Sequence, residues 1–288
     1  MGALAAKNEA ASAVLLSLFS DYRQLTERVI SRPSSYASER PQDYVASLLA
    51  VRCFRLAVGA ILLSQSGYPD LAVDAARPIW EIAIRLCDLG RDPVPAALGY
   101  LLRGVWEELI VMEAELRYRS ENGLDVGNLP RNIGACRAYQ SSLELRARSL
   151  GHDPRVISNR YGRLNVRQVC KDLGVEKSYL VDYKFFSTHA HSLAAATDDA
   201  VKERGGRREL IFGPIADGAF ESAFDTLRNL GVAMCFVAQV VDDPMIAAEA
   251  ERLIGLLEKI RSSMRRGATR GTGPDEGMHP TSQKRGGR

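Results

Sequence analysis

Apolar residues recur at helical spacing along nearly the whole chain, punctuated by glycine, proline and Asn-Gly. The first such stretch runs from about Leu4 to Ile30 and stops before Arg32-Pro33. A second begins after Pro41, with Asp43 in its first turn, and ends near Gly67. A third opens at Pro69-Asp70 and ends at Gly90, which reads as a left-handed C-cap. Pro78 inside it predicts a kink or a restart. Further helices are expected over about Val94–Glu121, Ile133–Leu150, Val166–Leu173, Glu176–Ala196, Gly218–Val241 and Pro244–Met264. Arg208–Phe212 reads as a short strand or an extended connector, and Gly205-Gly206 as a turn. The fold class is all-α: a single multi-helix bundle over residues 1–264. Residues 265–288 are rich in Gly, Arg, Thr and Pro with almost nothing apolar. Such a segment cannot repay its ordering entropy, which predicts a disordered basic tail.

The second and third helices (about 43–67 and 69–90) are apolar around most of their circumference, which predicts that they lie at the centre. Their few charges are therefore informative. Arg52 lies one turn from Leu48 and Leu56, and Arg55 lies between Val51 and Val58, so both share a face with apolar residues and call for carboxylate partners. On the third helix Asp74, Arg77, Glu81, Arg85 and Asp88 follow steps of three, four, four and three, a stripe of alternating charge. Arg77 and Glu81 are one turn apart and can pair directly. The stripe fits either a solvated row of ion pairs or an interior polar seam.

A second constellation lies on the expected helix 176–196. Tyr183, Ser187 and His191 are four residues apart and share one face in consecutive turns, whereas His189 points elsewhere. A phenol, a hydroxyl and an imidazole in line suit proton transfer or hydrogen bonding. The same groups equally serve as satisfied polar cross-links between helices.

Composition changes the picture in two places. The net charge of +3 hides a basic block: residues 131–171 carry nine arginines and lysines against Glu144 and Asp153, and the tail adds a net +4, leaving the remainder at −8. Arg155, Arg160, Arg163 and Arg167 are the candidate nucleic-acid contacts in that block. The five cysteines are too widely spaced for a zinc knuckle or a disulfide framework, which points to a reducing, cytoplasmic compartment. The stretch Tyr44–Leu63 is as long as a bilayer span, but Arg52 and Arg55 in its middle would each cost roughly 2.5–3.5 kcal/mol there, so it reads as a buried helix and no membrane is expected. No phosphate-binding loop, dinucleotide fingerprint, nucleophile elbow or paired-histidine metal motif occurs, so no cofactor and no metal are expected.

The order of an arginine-bearing apolar helix, a small-residue turn and an Arg77-x-x-x-Glu81 helix, followed by Tyr183-x-x-x-Ser187-x-x-x-His191-Ser192, resembles a bacterial family catalogued as domain of unknown function five-six-seven-seven. The resemblance spans roughly residues 40–240. It implies Arg77, Glu81, Tyr183, Ser187 and His191 as characteristic polar residues and brings no activity with it. More loosely, the chain is similar to HEPN (higher eukaryote and prokaryote nucleotide-binding) domains, helical bundles often acting as metal-independent RNases in defence and toxin systems. Their Arg, four to six residues, His signature is matched here only with Lys184 in the arginine's place, before His189 and His191.

Two functional readings follow. One is a non-catalytic interaction or sensor module with an Arg/Glu/Tyr/Ser/His polar site, supported by Arg52 and Lys184. The other is a HEPN-like RNase or nucleotide-binding protein, with RNA or a nucleotide as partner, in which His191 is the acid/base and Arg77 or Lys184 steadies phosphate. Self-association is compatible with both.

Overall fold

Small side chains decide which helices meet at the centre. A computed structural model describes residues 2–31, 39–178, 201–204, 207–210 and 219–269. On α2 (Pro41–Gln65), Ala46, Ala50, Cys53, Ala57 and Ala60 form one buried row in steps of four and three. That row lets α3 (Pro69–Arg91) approach closely with Ile79, Ala83 and Leu86. The helix Ala219–Val241, here α8, closes the centre with Phe224, Leu227, Leu230, Met234 and Val237. These three helices pack against one another pairwise. A 2.7 Å hydrogen bond between the Ser64 and Ser222 hydroxyls, both buried, ties the end of α2 to the start of α8.

The remaining elements surround this trio. α1 (Gly2–Ile30) lays Leu18, Tyr22, Leu25 and Val29 into the core, and Phe19 stacks on Phe54 of α2 at 5.0 Å between ring centroids. The last helix, α9 (Pro244–Thr269), packs Ile246, Ala250, Leu253 and Leu257 inward along a row of helical spacing. On the other side α4 (Pro93–Glu121) carries α5 (Leu129–Ser149) and a short α6 (Pro154–Ile157). α6 runs directly into a π turn, Ser158–Gly162, lying on α4, and α7 (Val166–Asp172) returns to α3. Under α7 sits a satellite core of Ala76, Trp80, Ile84 and Cys170. A single helical turn is formed at Glu176–Ser178, and the rest of the expected helix 176–196 lies outside the described residues. The only strands among the described residues are the antiparallel pair Val201–Arg204 and Arg207–Leu210, in register Val201 with Leu210. The architecture is all-α apart from this hairpin.

Several expectations are corrected. Gly90 is not a left-handed cap: α3 continues to Arg91 and ends at Asp92. The stop comes from Pro93, which holds the residue before it in an extended conformation (Asp92 φ −146°, ψ 71°). α3 also runs through Pro78 without a restart. Arg52 and Arg55 do not face the core; both are exposed. α2 is apolar all round, so its pattern alone cannot tell inside from outside. The outward row is Leu48, Arg52, Arg55, Gly59 and Leu62, with Leu48 43% and Leu62 57% exposed. It lies two positions, roughly 200°, from the small-residue row. The arginines therefore need no carboxylate partner, because water solvates them. α9 extends five residues past its expected end at Met264. The rest of the expected tail, and the Gly205-Gly206 turn, lie outside the described residues. Among the described residues two helices, α2 and the Phe220–Val241 part of α8, are long and apolar enough to cross a membrane.

Candidate functional site

The charged stripe of α3 lies on the side of the helix away from the small-residue contact and runs toward α7 and the π turn. Its first pair is formed as expected: the Arg77 Nε donates to Glu81 Oε1 at 3.0 Å. With side-chain exposures of 21% and 31%, the pair is neither a solvated surface bridge nor a sealed interior one. Arg85, one turn on, is more enclosed. Its Nη1 donates to the main-chain carbonyl of Tyr161 at 3.1 Å, and its guanidinium lies 4.9 Å from the centroid of the Tyr100 ring. Burial lowers its pKa, against the pull of Tyr100, Asp88, Glu81 and Glu107, although a guanidinium so far from neutral pH stays charged.

The stripe ends in a pocket of about 420 Å³. Asp88, Arg91 and Asp92 from the end of α3, Arg160, Tyr161 and Arg163 from the π turn, and Asn165, Gln168, Val169 and Asp172 from α7 line it. The Tyr161 hydroxyl donates to Asp92 Oδ2 at 2.6 Å. Burial, reinforced by that bond to a carboxylate, pushes the phenol up to about 12. The Arg160 guanidinium stacks over the Tyr161 ring at 5.0 Å. Asn165 caps α7 by accepting from the Gln168 N–H at 3.1 Å, and the Gln168 amide donates to Asp172 at 2.7 Å. Burial raises the Asp88 carboxyl above its ordinary 3.8, partly offset by Arg91, Arg160 and Arg85.

The geometry depends on two glycines. A Cβ on Gly99 of α4 would run into the carbonyl of Ile157, and one on Gly162 would run into the Cβ of Arg103. Bare backbone at both positions lets the π turn lie directly on α4. A π turn is itself rare and is over-represented at functional sites.

The structure brings together some of the expected residues and separates others. Arg77 and Glu81 meet; Arg160 and Arg163 meet at the pocket. Arg155 sits instead at a second pocket with Arg148, Glu144 and Asp153, and Arg167 is exposed on α7, so the four arginines do not form one surface. Arg52 lies on the outward row of α2, away from this site. Tyr183, Lys184, Ser187, His189 and His191 lie outside the described residues. Among the described residues no group of three or more His, Cys, Asp or Glu side chains is placed to hold a metal, and all five cysteines are free. Arg91, Asp92 and Tyr161 belong to no motif or charge pattern legible in the sequence. Asp92 and Tyr161 are 69 residues apart and meet only because the π turn lies on α4.

The model of a family of unknown function, DUF5677, matches residues 43–208, more than half of the 288. The chain belongs to that family. In this DUF5677 member the matched span opens in the first turn of α2 and takes in the α3 stripe, the π turn and the whole pocket. α8 lies beyond it, although α8 closes the core against α2 and α3. No curated protein and no solved structure matches the chain.

Proposed function

We propose that this DUF5677 protein is a non-catalytic binding module whose polar site is the α3 stripe and the pocket at its end. The observation that carries this reading is a division among the guanidiniums. Arg77 and Arg85 are occupied by Glu81, the Tyr161 carbonyl and the Tyr100 ring, and act as struts. Arg91, Arg160 and Arg163 line the pocket and form no salt bridge among the described residues, and of the three only Arg160 packs on a ring, that of Tyr161. Catalysis by Arg77 on a phosphate would first have to break a charge-assisted hydrogen bond, whereas Arg91 and Arg163 are available to a ligand as they stand and Arg160 keeps its N–H donors while packed on Tyr161.

An assay for metal-independent RNA cleavage tests the reading. The full chain, with chelator present, is incubated with single-stranded and hairpin RNA alongside His191→Ala and His189→Ala. The expected result is no cleavage above buffer by any of the three. Cleavage by the parent protein that drops about 10²–10⁴-fold in His191→Ala, with the melting temperature kept and His189→Ala unaffected, overturns it in favour of a HEPN-like RNase.

A further inference from the structure

The pocket lining defines a ligand class, an inference that rests on the binding-module reading. Three guanidiniums (Arg91, Arg160 and Arg163) face three carboxylates (Asp88, Asp92 and Asp172). The lining is balanced in charge among the described residues, so a bare anion entering it meets repulsion as well as attraction and gains little over water. One carboxylate is already used, since Asp92 accepts from the Tyr161 hydroxyl. Asp88 and Asp172 keep acceptor oxygens for hydroxyl donors; Gln168 engages Asp172 at one oxygen only.

The lining also says what the ligand lacks. Among the described residues its one aromatic ring is that of Tyr161, which is 8% exposed and is covered by the Arg160 guanidinium. The one aliphatic side chain among them is Val169. A nucleobase, which needs a free aromatic or apolar face to stack on, finds none among the described lining residues. The volume of about 420 Å³ is within the range of small-molecule sites.

We infer that this pocket binds a small polyhydroxylated oxyanion, a sugar phosphate or a sugar acid, with the oxyanion on the arginines and the hydroxyls on Asp88 and Asp172. A guanidinium recognises either oxyanion through two parallel hydrogen bonds from its fork, and carboxylates accept from neighbouring hydroxyls.

Calorimetric titration of the full chain in a phosphate-free buffer tests this. The probes are glucose 6-phosphate, glucuronate, inorganic phosphate and AMP. Binding of glucose 6-phosphate, of glucuronate or of both is expected, and which of them binds identifies the oxyanion. Arg91→Gln and Arg163→Gln should each weaken it tenfold or more. Both side chains are exposed, so circular dichroism should match the parent. Asp172→Asn should weaken the sugar probe at least tenfold. Inorganic phosphate binding as tightly as the sugar probes reduces the pocket to a plain anion site and overturns the inference. So does AMP binding more tightly than both sugar probes, or the absence of heat with all four. RNA cleavage in the assay above bears on the binding-module reading alone. Silence in both experiments sinks only the ligand class.

Discussion

The Arg85 guanidinium donates to the carbonyl oxygen of Tyr161, 76 residues away, at 3.1 Å. This bond ties the main chain of the π turn to α3, and it does so with a charge-assisted donor packed on the face of Tyr100. It also sets the wall of the pocket, because the same Tyr161 presents its hydroxyl to Asp92. The stripe on α3 is thus a structural lead-in to the site.

Replacing Arg85 with Met should keep most of the packing volume but remove the bond. A hydrogen bond to a charged group is worth about 1.5–3 kcal/mol, and the loss should appear as a lowered urea midpoint. Hydrogen exchange should quicken over Ser158–Gly162 before it does in α8. Arg85→Lys should not restore either, since an ammonium lacks the planar fork and stacks poorly on Tyr100. Unchanged exchange in the π turn would show that the bond contributes nothing.

The half-buried Arg77–Glu81 pair should give an intermediate cost. An exposed i,i+4 pair is worth about 0.3–0.5 kcal/mol, whereas breaking a fully buried one costs about 3–5 kcal/mol. At exposures of 21% and 31%, Glu81→Ala should destabilise by about 1–2 kcal/mol. A double-mutant cycle with Arg77→Ala isolates the coupling. A melting curve overlaying that of the parent would place the stripe among ordinary surface charges.

Asp88 predicts a pH dependence. Its folded-state pKa is raised, chiefly by burial, so between the unfolded and folded values the native state binds more protons than the unfolded chain. Its contribution to stability is therefore best below the ordinary value of 3.8 and is lost as pH rises through the folded value. Asp88→Asn should raise the melting temperature at pH 7, and that gain should shrink as the pH approaches 3.5. A gain that is the same at both pH values would show that charge burial is not its cause.

Two glycines on α4 should respond in opposite directions. A methyl at Gly99 meets the main chain of Ile157, which cannot swing aside, so Gly99→Ala should cost about 1–3 kcal/mol and loosen the π turn. Nothing lies within 4 Å of a Cβ at Gly104, in the middle of the same helix. Gly104→Ala should stabilise by about 0.5–1 kcal/mol through helix propensity. Thermal melts of both variants decide the matter.

Much of the fold was legible because helix period and capping are local. The α2–α3 pairing and the breaks at Gly123 and Gly151, both at positive φ, follow from residues a few positions apart. The side of α2 that faces inward was not legible from apolarity, since Leu48 and Leu62 are as apolar as the buried row. The evenly spaced row of Ala and Cys was the available signal, through close helix approach. Within the site, Arg77–Glu81 could be read from spacing. The Asp92–Tyr161 and Arg85–Tyr161 bonds could not, because they depend on a π turn that no periodicity marks. The Ser222 hydroxyl on α8 similarly finds Ser64 across 158 residues.

The π turn makes the pocket depend on chain length as well as on side-chain identity. Such a turn holds one residue more than the α-helical turn it replaces. Losing a single codon within Ser158–Gly162 would return the segment to α-helical phase and swing the side chains between the deletion and Arg163, where the helical backbone ends, by about 100°. Tyr161 would leave Asp92, and Arg160 and Arg163 would turn away from the cavity, while α2, α3 and α8 kept their contacts. One in-frame deletion could therefore abolish the site and leave a stable bundle, which makes this five-residue stretch the place where relatives can gain or lose the pocket in one genetic step.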